Sequence, residues 1–138
     1  MNVDKKRHEL ALYRLQQAEE SFDEAKYLLE GNKSPRSIIN RIYYAMFYAI
    51  LALLIFEPFS SSKHTGAISY FNSRFIKEGL LPKNLGRAVN KAFDLRQRGD
   101  YREKVVLTID QVIPFFDQSR EFIDSVRNYL KESKRIII

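Results

Sequence analysis

Apolar side chains recur along this chain in steps of three and four, with polar residues between them, which is the period of an amphipathic helix. From Lys5 to Glu30 the seam is Ala11, Leu15, Ala18, Phe22, Ala25 and Leu29, with small and large side chains alternating as interlocked helices require. Gly31 and Asn32 close that helix, since both tolerate positive φ. Ser34 followed by Pro35 opens the next one, as N-cap and first helical residue, and it runs to Glu57 before Pro58. Ser60, Ser61 and Ser62 offer caps for a third helix, Lys63 to Glu78, with an apolar stripe of Ile68, Phe71 and Phe75 and with Gly79 as its C-cap. Pro82 opens a fourth, to Arg98, with Leu85, Val89 and Ala92 inward and Gly99 ending it. The loop from Gly99 to Leu107 is polar and charged.

Thr108 and Gln111 have capping-box spacing at the head of the last helix. That helix carries one stripe of Ile109, Val112, Phe116, Ile123, Val126 and Leu130 and a second of Phe115, Phe122 and Tyr129. A face so broad suggests a further contact beyond the bundle, such as a second copy of the chain. Pro114 is expected to kink its first turns, and the tail from Lys131 to Ile138, basic and then apolar, is expected to fray.

The second helix is the most apolar. Ile42 to Phe56 hold no charge over 15 positions, whereas a membrane span takes about 20 apolar residues. The run also contains Tyr43, Tyr44 and Tyr48. It reads as the buried centre of a bundle, apolar on all sides because it is touched on all sides. Five helices, no strand signal and no repeat predict an all-α, up-and-down bundle of four or five helices, one domain over residues 1–138.

Composition narrows the chemistry. There is no Cys, which excludes a disulfide scaffold, a thiolate metal site and a Cys nucleophile. Two His are too few for a structural zinc site, and no metal or cofactor is expected. No Gly-rich phosphate loop, GxSxG or HExxH element is present. The charged opening, Met1 to Glu9, lacks the apolar stretch of a secretory signal, so a cytoplasmic location is expected. The net charge of +6 is concentrated: residues 58–107 hold ten Lys and Arg against four Asp and Glu. Such a segment attracts phosphate or an acidic partner, or serves only as a solvated surface.

Three polar residues interrupt the apolar faces. Arg41 heads the uncharged run and shares a face with Tyr44 and Tyr48. His64 lies one turn before Ile68 on the inward stripe of the third helix. Arg96, four residues after Ala92, points inward or into a cleft, and Asp100 and Tyr101 follow it. A partly buried Arg needs a carboxylate or an anion. Asp100 offers the first; the second would be a phosphate or RNA backbone held by Arg96, Arg98 and Lys63. His64 is a cap, a packed ring or a proton carrier. The Tyr row, interleaved with Met46, Phe47 and Ile50, reads as core before it reads as a stacking platform. The candidate ligand set is Arg41, Tyr44, Lys63, His64, Arg96, Arg98, Asp100 and Tyr101, with His64, Arg41 and Arg96 the candidates for catalysis.

Three stretches carry a family resemblance. Arg41-Ile-Tyr-Tyr-Ala-Met-Phe47 resembles the R-x-Y-Y-A-x-F signature of HEPN-domain proteins (higher eukaryote and prokaryote nucleotide-binding). Ser62-Lys-His-Thr-Gly66, with Phe71 and Phe75-Ile-Lys77, resembles the S-K-T-H-x-G…F…F-V-K segment of a small prokaryotic branch. Arg96-Gln-Arg-Gly-Asp-Tyr101 is similar to that branch's R-x-x-A-D-Y, with Gly99 in place of Ala. The resemblance implies a helical bundle that forms a homodimer and, in many members, a toxin–antitoxin pair with a minimal nucleotidyltransferase. Active HEPN toxins are metal-independent RNases built on an Arg followed, after about four to six residues, by a His. This chain lacks that element: the nearest Arg before His64 is Arg41, and His8 directly follows Arg7. The resemblance therefore implies a module that binds nucleotide or RNA, partnered by a nucleotidyltransferase, without carrying the RNase activity over. Cleavage by His64 with Arg41 or Arg96, and a purely structural or dimerising role, are the alternatives.

Overall fold

The computed structural model describes residues 2–101 and 106–137, with the side chains of all of these but 2, 3 and 101. Its elements are α1 (Asn2–Glu30), α2 (Pro35–Leu54), α3 (His64–Phe71), α4 (Lys83–Tyr101) and α5 (Ile109–Glu132), and a π-helical turn over Asn72–Ile76 extends α3. Among the described residues every regular element is helical.

The chain reverses between α1 and α2 through local chemistry. Asn32, rather than Gly31, takes the left-handed conformation at φ 54°. Ser34 then caps α2, its Oγ accepting the Ser37 N–H at 3.2 Å, with Pro35 at the first position. α2 packs against α1, α5, α4 and α3, and Ile38, Ile42, Tyr43, Met46 and Ile50 are fully buried on it. By length and composition α2 is long and apolar enough to cross a membrane, yet two-thirds of its apolar window is covered by the bundle, 67%. Its burial among four other helices makes it the centre of the core.

The structure departs from the sequence pattern in four places. Lys63 occupies the N-cap of α3 with no side-chain cap, because the nearby Ser61 Oγ accepts the Lys63 N–H instead, at 3.1 Å. The expected single third helix changes to π geometry at Asn72 and ends at the positive φ of Gly79. α4 runs through Gly99 to Tyr101 rather than stopping at Arg98. Gly99 is needed for closeness, not for a turn: a Cβ there would lie 2.7 Å from Leu107 Cδ1 and 3.3 Å from the Arg36 side chain. The tail is packed rather than frayed. Lys134 turns the chain at φ 60°, Ile136 is buried, and the Ile137 N–H donates to His8 Nε2 at 3.0 Å.

The capping box of α5 forms as expected, and Pro114 lies inside that helix. The two apolar stripes of α5 merge. Phe122, Ile123, Val126 and Leu130 are buried, whereas Ile109 is exposed and Phe115, Phe116 and Tyr129 pack half-buried at the margin. Of the polar stretch from Gly99 to Leu107, expected as a loop, residues 102–105 lie outside the described residues.

Candidate functional site

Helical spacing on α2 sends Tyr43 and Phe47 into the bundle and turns Arg41 and Tyr44 to its edge. α3 begins at His64 beside them, and α4 brings Arg96 and then Asp100, one turn later, to the same edge. The residues converge on the two tyrosine rings. His64 stacks on Phe47, with centroids 4.0 Å apart and planes within 13°, and meets Tyr44 edge-on at 5.7 Å. Tyr43, fully buried, places its hydroxyl 2.9 Å from His64 Nδ1. The Arg96 guanidinium lies 5.1 Å from the Tyr43 ring and 5.3 Å from the Tyr44 ring. The Arg41 guanidinium sits 5.1 Å from the Tyr44 ring. Two cations thus share one aromatic floor; each such contact contributes about 0.5–2 kcal/mol, which stabilises the cations without neutralising them.

The two arginines are held differently. Arg41 is clamped: Asn40 Oδ1 accepts from Nε at 3.2 Å and from Nη2 at 2.8 Å, and Glu24 Oε1 accepts from Nη1 at 3.2 Å. The Arg96 side chain is only 17% exposed, and the nearest carboxylate oxygen among the described residues, Asp100 Oδ2, is 3.7 Å from Nε. Among the described residues that buried Nε has no hydrogen-bond partner. A buried guanidinium N–H left without an acceptor is costly. Burial, and secondarily Arg96, hold the His64 ring below the ordinary His range, so it is neutral at pH 7. Burial pushes the Tyr43 phenol far upward, so that it stays protonated. The site is therefore a neutral imidazole and two cations on one aromatic floor, an arrangement that can attract an anion.

Asp100 also lines a cleft of about 380 Å³ with Leu28, Arg36, Ser37, Asn40 and Arg41, which opens beside the cluster. Arg41, Tyr44, His64, Arg96 and Asp100, singled out from sequence, thus come together. Lys63 adjoins His64 as an exposed N-cap residue. Arg98 goes elsewhere: it pairs with Asp94 at 3.2 Å and faces a groove between α4 and α5 with Lys91, Leu95, Gln111 and Phe115. Two positions along a helix from Arg96 is nearly the opposite face. Tyr101 ends α4, and its side chain lies outside the described residues. Sequence reasoning missed Tyr43 and Phe47, which contact His64, and Asn40, which orients Arg41. The available signal was a Tyr instead of a Phe at a core position, since a buried hydroxyl demands a partner.

A second polar group lies on the α1–α5 side. Arg120 donates to Glu19 through two nitrogens, each at 2.7 Å, and Arg127 adds a third bond at 2.8 Å. The Arg120 guanidinium covers the Phe22 ring at 4.7 Å. These hydrogen bonds, Arg120's first, hold the Glu19 carboxyl down at about 2.

Residues 11–130 match the HEPN domain family. The chain is 38% identical to a UPF0332 protein of Thermotoga maritima, over 89% of this chain and 92% of that one. It is 34% identical, over 83% and 84%, to a protein of Methanocaldococcus jannaschii named a "putative toxin". It is 37% identical, over 63% and 68%, to a UPF0332 protein of Gloeobacter violaceus. The helical bundle, the Arg41-to-Phe47 signature on its central helix and the match over nearly the whole length agree, and the chain belongs to the HEPN-domain family.

Proposed function

We propose that this chain is a toxin-like HEPN module that binds nucleotide or RNA phosphate at the edge formed by Arg41, His64 and Arg96. It works in the cytoplasm as a homodimer paired with a minimal nucleotidyltransferase. The observation that carries the reading is the convergence of two guanidinium groups and a neutral His on the Tyr43–Tyr44 floor, with the buried Arg96 Nε making no hydrogen bond among the described residues. An anion arriving there relieves both the repulsion between the cations and the missing hydrogen bond. The toxin-like role rests on the M. jannaschii relative's name together with the shared family.

Size exclusion of the purified chain mixed with its cognate nucleotidyltransferase is expected to give one complex peak, and two separate peaks would count against the pairing. Filter retention of labelled single-stranded RNA should fall about tenfold or more for Arg96→Gln, the loss of one charge-assisted contact. The half-buried His64 beside Arg96 favours one second reading, metal-independent RNA cleavage. Incubating RNA in EDTA with wild type and His64→Ala decides it: equal cleavage removes His64 from any mechanism.

A further inference from the structure

We infer that Tyr43 fixes His64 as the Nε2–H tautomer, so that His64 and Arg96 form a donor-only site for a phosphate oxyanion, one that recognises rather than cleaves. The inference deepens the proposed function and rests on the same cluster. Tyr43 is 0% exposed, and its hydroxyl makes one hydrogen bond among the described residues, to His64 Nδ1 at 2.9 Å. A buried hydroxyl proton must find an acceptor. Nδ1 serves only as a bare lone pair, which leaves the ring proton on Nε2. The opposite tautomer would put an N–H against the Tyr43 oxygen and leave the buried O–H with nothing to bond. Stacking on Phe47 at 4.0 Å, and the Tyr44 edge at 5.7 Å, hold the ring plane against a flip.

Nε2 makes no hydrogen bond to a described residue, so its N–H is free to donate. Cations share the aromatic floor that His64 packs on, Arg96 over Tyr43 and Tyr44 and Arg41 over Tyr44, and Lys63 is next in sequence. Among the described residues, the carboxylates at this edge are Asp100, at 3.7 Å from Arg96, and Glu24, at 3.2 Å from Arg41. Each already faces an arginine. A neutral His that presents Nε2–H has no outward lone pair to take a proton from a 2′-hydroxyl, and it is far too weak an acid to give one to a leaving group. It is well suited to hydrogen-bond a phosphate oxygen. The chemistry named is a phosphate oxyanion; a nucleotide's terminal phosphate and an RNA phosphodiester are its two sources.

The test is side-chain nitrogen NMR of His64 in the full chain at pH 7.5, with inorganic phosphate, uridine 5′-monophosphate and a short RNA lacking a terminal phosphate as separate titrants. Wild type should show the Nε2–H pattern, and inorganic phosphate should shift that Nε2. A stronger shift with the mononucleotide assigns the site to terminal phosphates, and one with the RNA assigns it to phosphodiesters. Tyr43→Phe should mix the tautomers and weaken phosphate binding by about twofold, the loss expected from a roughly even mixture. His64→Gln, whose amide nitrogen mimics Nε2–H but takes no proton, should retain binding that His64→Ala loses. An Nδ1–H pattern in wild type, no phosphate shift at His64, or equal loss in the Gln and Ala variants overturns the inference. RNA retention, followed alongside, reports on the proposed function separately. A chain that holds RNA with the Nδ1–H tautomer defeats only this inference. One that takes phosphate at the Nε2–H ring but holds neither RNA nor partner defeats only the function.

Discussion

Arg96 and Arg120 are the same residue in two outwardly similar settings. Each guanidinium covers an aromatic ring, at 5.1 Å from Tyr43 and 4.7 Å from Phe22, and each is largely shielded from water. They differ in their partners. Arg120 shares Glu19 with Arg127 through bonds of 2.7 to 2.8 Å. Among the described residues, Arg96 has a carboxylate no nearer than 3.7 Å and a buried Nε with no acceptor. A satisfied ion cluster needs nothing further and serves as a clasp between helices. An unsatisfied one leaves a cost in the free protein that a ligand can remove. The contrast separates structure from site more sharply than burial or residue type.

Breaking the satisfied side should have the largest effect. Glu19→Ala leaves Arg120 and Arg127 facing each other half-buried and is expected to lower stability by about 2–3 kcal/mol, measured by urea unfolding, with RNA retention unchanged once the chain is folded. Breaking the other side should do the reverse. Arg96→Met keeps apolar cover over the tyrosines and removes the orphaned Nε, so stability should stay within about 0.5 kcal/mol while phosphate or RNA binding falls about tenfold, about 1.4 kcal/mol. A drop in stability without loss of binding would instead make Arg96 a brace.

Acid sharpens the comparison further. The Glu19 carboxyl lies at about 2 in the folded chain against an ordinary 4.5. The unfolded chain therefore takes this proton first, and the stability that Glu19 contributes above pH 4.5 is lost as pH falls toward 2, on the order of 1–2 kcal/mol after solvent screening. Glu19→Gln should remove that acid limb. His64, held below its ordinary 6.5, also favours the folded state when neutral. Its smaller contribution is present above pH 6.5 and declines below it, and His64→Gln should flatten that part of a melting-temperature profile. The smallest effect belongs to Arg98, paired with Asp94 on an exposed face: Arg98→Ala should change stability by less than about 0.5 kcal/mol and leave binding at His64 intact.

What the sequence disclosed follows the reach of each interaction. The caps at Ser34 and Thr108 act within three residues, so their residue types announce them. Gly99 lies inside α4 with Leu107 close against it, a tertiary contact that the turn-forming habit of Gly disguises. Arg41, His64 and Arg96 stood out because each broke an apolar stripe. Tyr43 did not, because its ring obeys the core pattern and only its hydroxyl departs from it. Arg98 was grouped with Arg96 through adjacency in sequence, which helical geometry undoes. Glu19 and Arg120 sit 101 positions apart, and no local pattern links them.

That last separation also orders events in time. α1 and α2 are joined by a turn of a few residues and make the most extensive helix pair in the bundle, so they can dock as soon as both are helical. The Glu19 clasp waits for α5 to return across most of the chain, after much of the loop entropy has been spent. It is expected to form on the native side of the folding barrier, which a φ-value near zero for Glu19→Gln would show. Loosening it should speed unfolding and leave the folding rate nearly unchanged, so the clasp sets how long the folded bundle lasts rather than how quickly it forms.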